Sequence, residues 1–599
     1  MLPESPASQS ADTVRQCLEQ LLESPTFRNS ARLSRFLRVV VERTLEGGAD
    51  NNLKESVVGV LVFDRPPDYD PKIDSIVRVQ ARQLRAKLQE YYSTTGMRDT
   101  VRFEMPKGSY APVIRRAVVT DGPRLVPMET PAADAAVADL AVLPFLDLSS
   151  NPENEYFSDG ISEEILSVLA QVRGLRLIAR TSSFQFKGRN RDIRQIARQL
   201  GARSILEGSV RRAGNQLRIT AQLIEGAGGT HLWAENFDAF LTDPGQVIAI
   251  QEDIAREISQ RLGKFFPSAA AESPRQPATV AAYDNYLRAR KLLCELRPES
   301  IHQAMPLLEA AIADDPDYAA AYAALADAYG HLGIYGGLPS TELLPKAKQY
   351  ATEAVRRDPR LADGHTLLGK TAAALDLDLA SAEAHFQRAF QVDPQNAQAR
   401  QSRAQWYLGP AGKTAEALAE LEALLPLDPL SLELRHTYVA ILYFARRYRD
   451  TIEQASLILQ LMPQSFAAYF YRFLAYDALG ETDRAMDDLK AHASYLSTLL
   501  LDQHVAAYQL ERDGHHQEAL EVAHRMEEDP RSRIAPTVLA DLWIRLGNRD
   551  RAIDWLERAY EWRVFRVLWI GVDATYDVLR DHPRFEALRR KILPAGPLS

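Results

Sequence analysis

Apolar positions along the chain follow two different periods. From about residue 282 onward they recur at helical spacing, as small–large–small triplets at i, i+4 and i+7. Examples are Ala304, Leu308 and Ala311; Ala382, Phe386 and Ala389; Ala417, Leu421 and Leu424; and Ala552, Leu556 and Ala559. Such a triplet occupies one face of a helix, where its small residues let a neighbouring helix approach closely. Between residues 138 and 265 the pattern changes. Leu140 to Phe145 is a short apolar run. Leu217, Ile219, Ala221 and Leu223 alternate with Arg218, Thr220, Gln222 and Ile224, as in a half-buried strand.

A second signal runs in phase with the triplets. Prolines close successive units at Asp315-Pro316, Asp358-Pro359, Asp393-Pro394, Asp428-Pro429, Met462-Pro463 and Asp529-Pro530, with spacings of 43, 35, 35, 34 and 67 residues. Proline cannot continue a helix, so the period predicts helix–turn–helix units, with an insertion near 333–341 and one missing proline in the last interval. The array, with its Ala324-Leu325-Ala326-Asp327-Ala328-Tyr329 segment, resembles the tetratricopeptide repeat of 34 residues over about 282–565, roughly eight units. The stretch after Arg566 reads as a final helix capping the stack. The resemblance implies an all-α superhelix that holds a protein or peptide in its concave groove; a spacer or oligomerisation role is the alternative. Tyr322, Tyr329, Phe386 and Trp555 are expected to be core.

Pro- and Ala-rich stretches at 117–136 and 267–280 read as linkers around an α/β domain at 138–265. Its expected elements are a strand at Leu140–Phe145, a helix from about Ile161 to Gln171 capped by Ser158 or Asp159, a strand region at Leu175–Phe186, a helix at Ile193–Leu200 ended by Gly201, a hairpin at Ser204–Arg212 and Gln216–Glu225, a strand at Thr230–Phe237 and a helix at about Val247–Leu262. The segments AVLPFLDLSSNPENEYFSDGISEEIL, ARTSSFQFKGRNRDIRQIARQLGARSILEGSVRR and LRITAQLIEGAGGTHLWAENFD resemble the TolB-amino-terminal-like domain. That resemblance implies a structural or interaction module. Asp159, Glu163 and Glu164 are accounted for by a helix start, His231 stands alone, and Gly226 to Gly229 form a turn without a phosphate-binding fingerprint. With no acid, base and nucleophile set in view, the chain is expected not to be an enzyme and to need no cofactor or metal.

Residues 10–116 form the third part. Ser75 to Tyr92 reads as a helix whose apolar face is Val77, Ala81, Leu84, Leu88 and Tyr91, with Arg78, Arg82, Arg85 and Gln89 on a second face. Strands at Val101–Met105 and Tyr110–Ile114 flank a Pro106-Lys107-Gly108-Ser109 turn. Leu84-Arg85-Ala86-Lys87-Leu88 followed by Lys107-Gly108-Ser109-Tyr110 resembles the end of the OmpR/PhoB-type winged-helix domain, an α+β fold. The wing's first glycine is Lys107 here, and residues 12–46 look helical where that family has a leading sheet. The resemblance implies DNA binding: Arg78, Arg82, Gln83 and Arg85 toward phosphates or base edges, and Arg102 and Lys107 from the wing. The alternative is a solvated basic face on a protein-interaction scaffold.

Charge fits this division. The 599-residue chain carries a net −9, but residues 1–116 carry +3 and the remainder −12. A charge of +3 is small for tight DNA binding, which points to a homodimer or cooperative assembly. Two cysteines, Cys17 and Cys294, make no disulfide framework or zinc cluster. The start has no basic segment before an apolar core, and no apolar run reaches 18 residues, so the expectation is a cytoplasmic protein without a membrane span.

Overall fold

The computed structural model describes residues 6–24, 26–28, 30–45, 55–63, 65–66, 69, 76–93, 101–105, 110, 112–116, 138–149, 155–170, 172, 174–188, 192–213, 215–240, 244–263, 277–294, 297–335, 340–394, 396–495 and 500–593. The chain divides into two compact units, 1–130 and 131–599.

Among the described residues the first unit has four helices, α1 (Pro6–Glu23), α2 (Ala31–Leu45), α3 (Glu55–Phe63) and α4 (Ile76–Ser93), followed by strands β1 (Val101–Glu104) and β2 (Val113–Arg116). The apolar stripe expected on α4 is buried in full, from Val77 to Tyr91, against Leu18, Phe36, Leu37 and Val40 of the first two helices. Within residues 12–46, where the pattern predicts helix, α1 and α2 occupy all but the connection between Glu23 and Ala31 among the described residues. The hairpin differs in register. Val101 pairs with Arg116 and Glu104 with Val113, so the connection is longer than a four-residue turn at 106–109.

The second unit opens with β3 (Ala138–Val142), β4 (Leu146–Asp147), α5 (Glu155–Ala170), a one-turn α6 (Arg180–Ser183) and α7 (Ile193–Leu200). It continues with β5 (Ala202–Ala213), β6 (Gln216–Glu225), β7 (His231–Phe240) and α8 (Pro244–Arg261). The strands form a mixed sheet in the order β3-β5-β6-β7, with β4 also on β5. β3 and β4 run parallel to β5, and β5, β6 and β7 are antiparallel. Asp192 caps α7 through Arg194 N, and Gly201 ends it at φ +65°, the left-handed cap that glycine favours. Ile224, placed by alternation with the outward residues, is buried because it pairs with Ile205 on the sheet face that packs against Ile196 and Leu200 of α7.

Two expectations in this layer are corrected. Leu175–Phe186 is not a strand: Leu177 alone bridges to Leu140, and α6 and a 3₁₀ turn at Phe184–Phe186 follow. The helical turn buries the Ser182 and Ser183 side chains, which a strand would have set on opposite faces. Ser158 and Asp159 are not caps. α5 begins at Glu155 and both residues are buried inside it, because Tyr156 and Phe157 pack into the same core as Ile161 and Ile165.

Among the described residues, eight helix pairs follow. They are α9 (Val280–Leu293) and α10 (Pro298–Asp314), α11 (Ala319–Tyr335) and α12 (Ser340–Arg357), α13 (Ala362–Thr371) and α14 (Leu379–Val392), α15 (Ala397–Arg403) and α16 (Thr414–Leu424). The second four are α17 (Leu432–Phe444) and α18 (Tyr448–Leu461), α19 (Phe466–Ala478) and α20 (Thr482–Tyr495), α21 (Leu501–Arg512) and α22 (His516–Glu528), and α23 (Pro536–Arg545) and α24 (Arg549–Glu561). The triplets Ala304/Leu308/Ala311, Ala382/Phe386/Ala389, Ala417/Leu421/Leu424 and Ala552/Leu556/Ala559 are all buried, as are Tyr322, Tyr329 and Trp555. The stretch after Arg566 is more than one helix. 3₁₀ turns at Phe565–Trp569 and Ala574–Leu579 precede α25 (Pro583–Ile592), and Trp569 stacks on Phe444 with ring centroids 4.2 Å apart. Among the described residues, no helix is long and apolar enough to cross a membrane.

Candidate functional site

In the first unit, α4 is held by its buried face and leaves Arg78, Arg82 and Gln83 exposed. Arg78 Nε donates to Glu55 Oε1 on α3 at 2.8 Å. Arg85 is half-buried, and its Nε donates to the Met105 carbonyl at 2.9 Å. Arg85 therefore ties α4 to the end of β1. Tyr110 is half-buried beside these groups, and burial followed by the Glu55 charge pushes its phenol up. Arg102 lies in β1 opposite Arg115, and the position of its side chain is outside the described residues, as is Lys107 altogether. Of the six sequence-predicted residues, α4 thus brings four together. Two are engaged within the unit and two, Arg82 and Gln83, present side chains to solvent. Sequence reasoning missed Glu55 and the Met105 carbonyl, because neither is near α4 in sequence.

In the second unit, the α/β layer and the array join along a polar seam. Glu155 and Glu163 on α5 accept from Lys291 Nζ at 2.6 Å and Arg290 Nη2 at 3.1 Å on α9. Tyr156 donates to Asp284, and Glu163 also pairs with Arg180. Gly160 is required at this crossing, since a Cβ would stand 2.5 Å from Leu287 Cδ2. Asp159, raised by burial, is held by Lys187 Nζ at 2.5 Å. Glu164 keeps part of its surface accessible, yet burial pushes its carboxyl up to about 7 against the opposing pull of Arg290. Glu163 and Glu164, read as part of a helix start, are therefore seam residues, and Asp159 is held beside them by Lys187 of the same layer. The signal available was a spacing: Asp159 and Glu163 share one face with Glu155 at i, i+4 and i+8. His231 is exposed at the start of β7, and Gly226–Gly229 is the β6–β7 turn, closed by Glu225 N donating to Thr230 O at 2.8 Å.

Among the described residues no group of three or more His, Cys, Asp or Glu side chains is placed to hold a metal ion. Cys17 is buried and Cys294 exposed, and they are not bonded.

No protein-family model matches the chain. It is 38% identical over 250 residues to a Rhizobium meliloti protein named "Putative adenylate cyclase 3", covering 41% of this chain and 42% of that one. It is 23% identical over 333 residues to the transcriptional regulator HilA of Salmonella typhimurium, covering 55% of this chain and 58% of that one. The chain thus spans less than two thirds of the length of either relative. Among solved structures, the human IFIT1 dimer with m7Gppp-AAAA has a TM-score of 0.36 and 15% identity over 53% of this chain and 78% of its own. Yeast Tom70 has a TM-score of 0.32 and 16% identity over 58% and 78%. The first relative corrects the expectation that the chain is not an enzyme, because it carries a cyclase's name. A search for local motifs misses catalytic groups that a fold assembles from distant positions.

Proposed function

We propose that the chain regulates transcription, with the first unit binding DNA and the helical array holding a protein partner. The observation that carries this is the exposed Arg82–Gln83 surface on α4, whose opposite face is fixed in a core. A helix presented this way, followed by an antiparallel hairpin, suits winged-helix docking in the major groove. Arg82 pairs with guanine edges or phosphates and Gln83 with adenine. Arg78 joins them by exchanging Glu55 for a phosphate. Arg85 is a positioning residue that sets the helix against the hairpin, from which Arg102 and Lys107 reach the backbone. The likeness to a transcriptional regulator supports this reading. So does the charge division, which leaves the acidic remainder to repel DNA. A cytoplasmic location and a TolB-like coupling layer belong to the same proposal. Sequencing DNA co-precipitated with the intact protein tests it: recovery of a shared sequence is expected, and a random genomic sample speaks for a scaffold instead.

A second reading, adenylate cyclase activity, is favoured by the 38% identical relative. Cyclic AMP formed from ATP and magnesium by the purified chain supports it. A rate equal to the protein-free control removes it.

A further inference from the structure

The two edges of the sheet in the second unit differ. At one, β3 is closed: Asp139 N donates to Arg176 O at 2.8 Å and Ile178 N donates to Leu140 O at 2.9 Å. At the other, among the described residues, β7 pairs with β6 alone. β7 is 10 residues long, and an open edge of that length is a template for another strand.

Its free groups can be located. Phe240 N donates away from β6 to Gln246 Oε1 at 3.1 Å, and Leu232 O accepts from Arg261 Nη1 at 3.3 Å. Backbone groups alternate sides along a regular strand, so Ala234, Asn236, Asp238 and Phe240 point outward; Leu232 is the bulged residue of β7, and side chains cover both ends of the row. Between those ends, Ala234, Asn236 and Asp238 are exposed. Their outward N–H and C=O groups meet no partner among the described residues.

We propose that β7 is the docking surface for a second copy of this chain, strand against strand about a two-fold axis at Asn236. This register sets Asn236 opposite its own counterpart and Ala234 opposite Asp238 of the second copy, so every free outward group is paired. It also brings the bulged Leu232 beside Phe240 at both ends. Those are the large apolar side chains that β7 leaves in water, 44% and 54% exposed, and facing pairs of that kind stabilise a sheet. Asp238 is already matched by Arg218 Nε at 2.7 Å and faces an alanine. The neighbouring registers are worse. Centring on Asp238 opposes two aspartates, centring on Ala234 leaves Phe240 without a facing residue, and a one-residue slip sets outward groups against inward ones. The surface stands on the sheet alone and does not depend on DNA binding.

Sedimentation of the full chain at high concentration tests this. The wild type is expected to be dimeric. Asn236→Pro, which removes an outward N–H and the exposed side-chain bond from Thr220 Oγ1 at 2.7 Å but no backbone bond to β6, is expected to be monomeric with unchanged far-ultraviolet circular dichroism. Cross-linking decides the matter if that variant misfolds. In a Cys17→Ala/Cys294→Ala background, mild oxidation should give a covalent dimer with Asn236→Cys. It should give none with Asp238→Cys, whose two copies lie four residues apart along the strands, about 13 Å and beyond disulfide reach. A monomeric wild type, a dimer that survives Asn236→Pro, or no cross-link at 236 overturns the proposal.

Discussion

Ser182 Oγ donates to Asp428 Oδ1 at 2.6 Å across 246 residues of sequence. Thr181 Oγ1 donates to the other oxygen at 2.9 Å, Leu430 N donates to Ser182 Oγ at 2.8 Å, and Ala179 N donates to Leu427 O at 2.7 Å. Leu427 and Leu430 pack beside Ile193 against the core that contains Ile178 and Ile205. The α/β layer is therefore fastened to the array twice, at α9 and at the α16–α17 connection.

That second fastening predicts the effect of Asp428→Ala. The substitution leaves the buried Ser182 hydroxyl and its Thr181 neighbour without their acceptor, which costs about 2–4 kcal/mol. The midpoint of thermal unfolding of the full chain should fall by several degrees. Leu461→Ala, at a position 66% exposed, should leave it unchanged.

Glu164 predicts a pH dependence. Burial holds its carboxyl near 7 in the fold, above the ordinary 4.5, so the folded state binds its proton more tightly than the unfolded chain. Its contribution is fully present below 4.5 and is lost as pH rises toward 7, amounting to about 3 kcal/mol. Glu164→Gln should raise the unfolding midpoint well above neutrality. Near the acidic end of that window it should match the wild type. Melting curves across the range check both arms.

Gly409 predicts a packing limit. A Cβ there would meet the Trp569 ring at 2.5 Å and Ile441 Cδ1 at 2.7 Å. Both neighbours are in the array core, so Gly409→Ala is expected to cost about 1–3 kcal/mol by overpacking. Denaturant midpoints of the two proteins measure it.

The sequence made the array legible because its signal repeats: the same buried triplet returns in several units, and prolines mark the phase. The α4 face was legible because a single helix period separates Val77, Ala81 and Leu84 from Arg78 and Arg82. The seam was not. Asp428-Pro429 reads locally as punctuation between helices, and Thr181-Ser182-Ser183 reads as a polar interruption in a strand. Only the fold brings the aspartate to the hydroxyls. Arg85 was misjudged for the same reason: its face predicts solvent, but the Met105 carbonyl that captures it arrives from the hairpin.

DNA binding through α4 is tested most directly by fluorescence anisotropy of a labelled mixed-sequence duplex titrated with the full chain at low salt. The wild type should bind, with an affinity that falls steeply as salt rises. Arg82→Ala/Gln83→Ala should weaken binding by at least about tenfold, corresponding to 1.4 kcal/mol, with an unchanged melting midpoint. Equal affinities of the two proteins, or no binding by the wild type, would contradict the account.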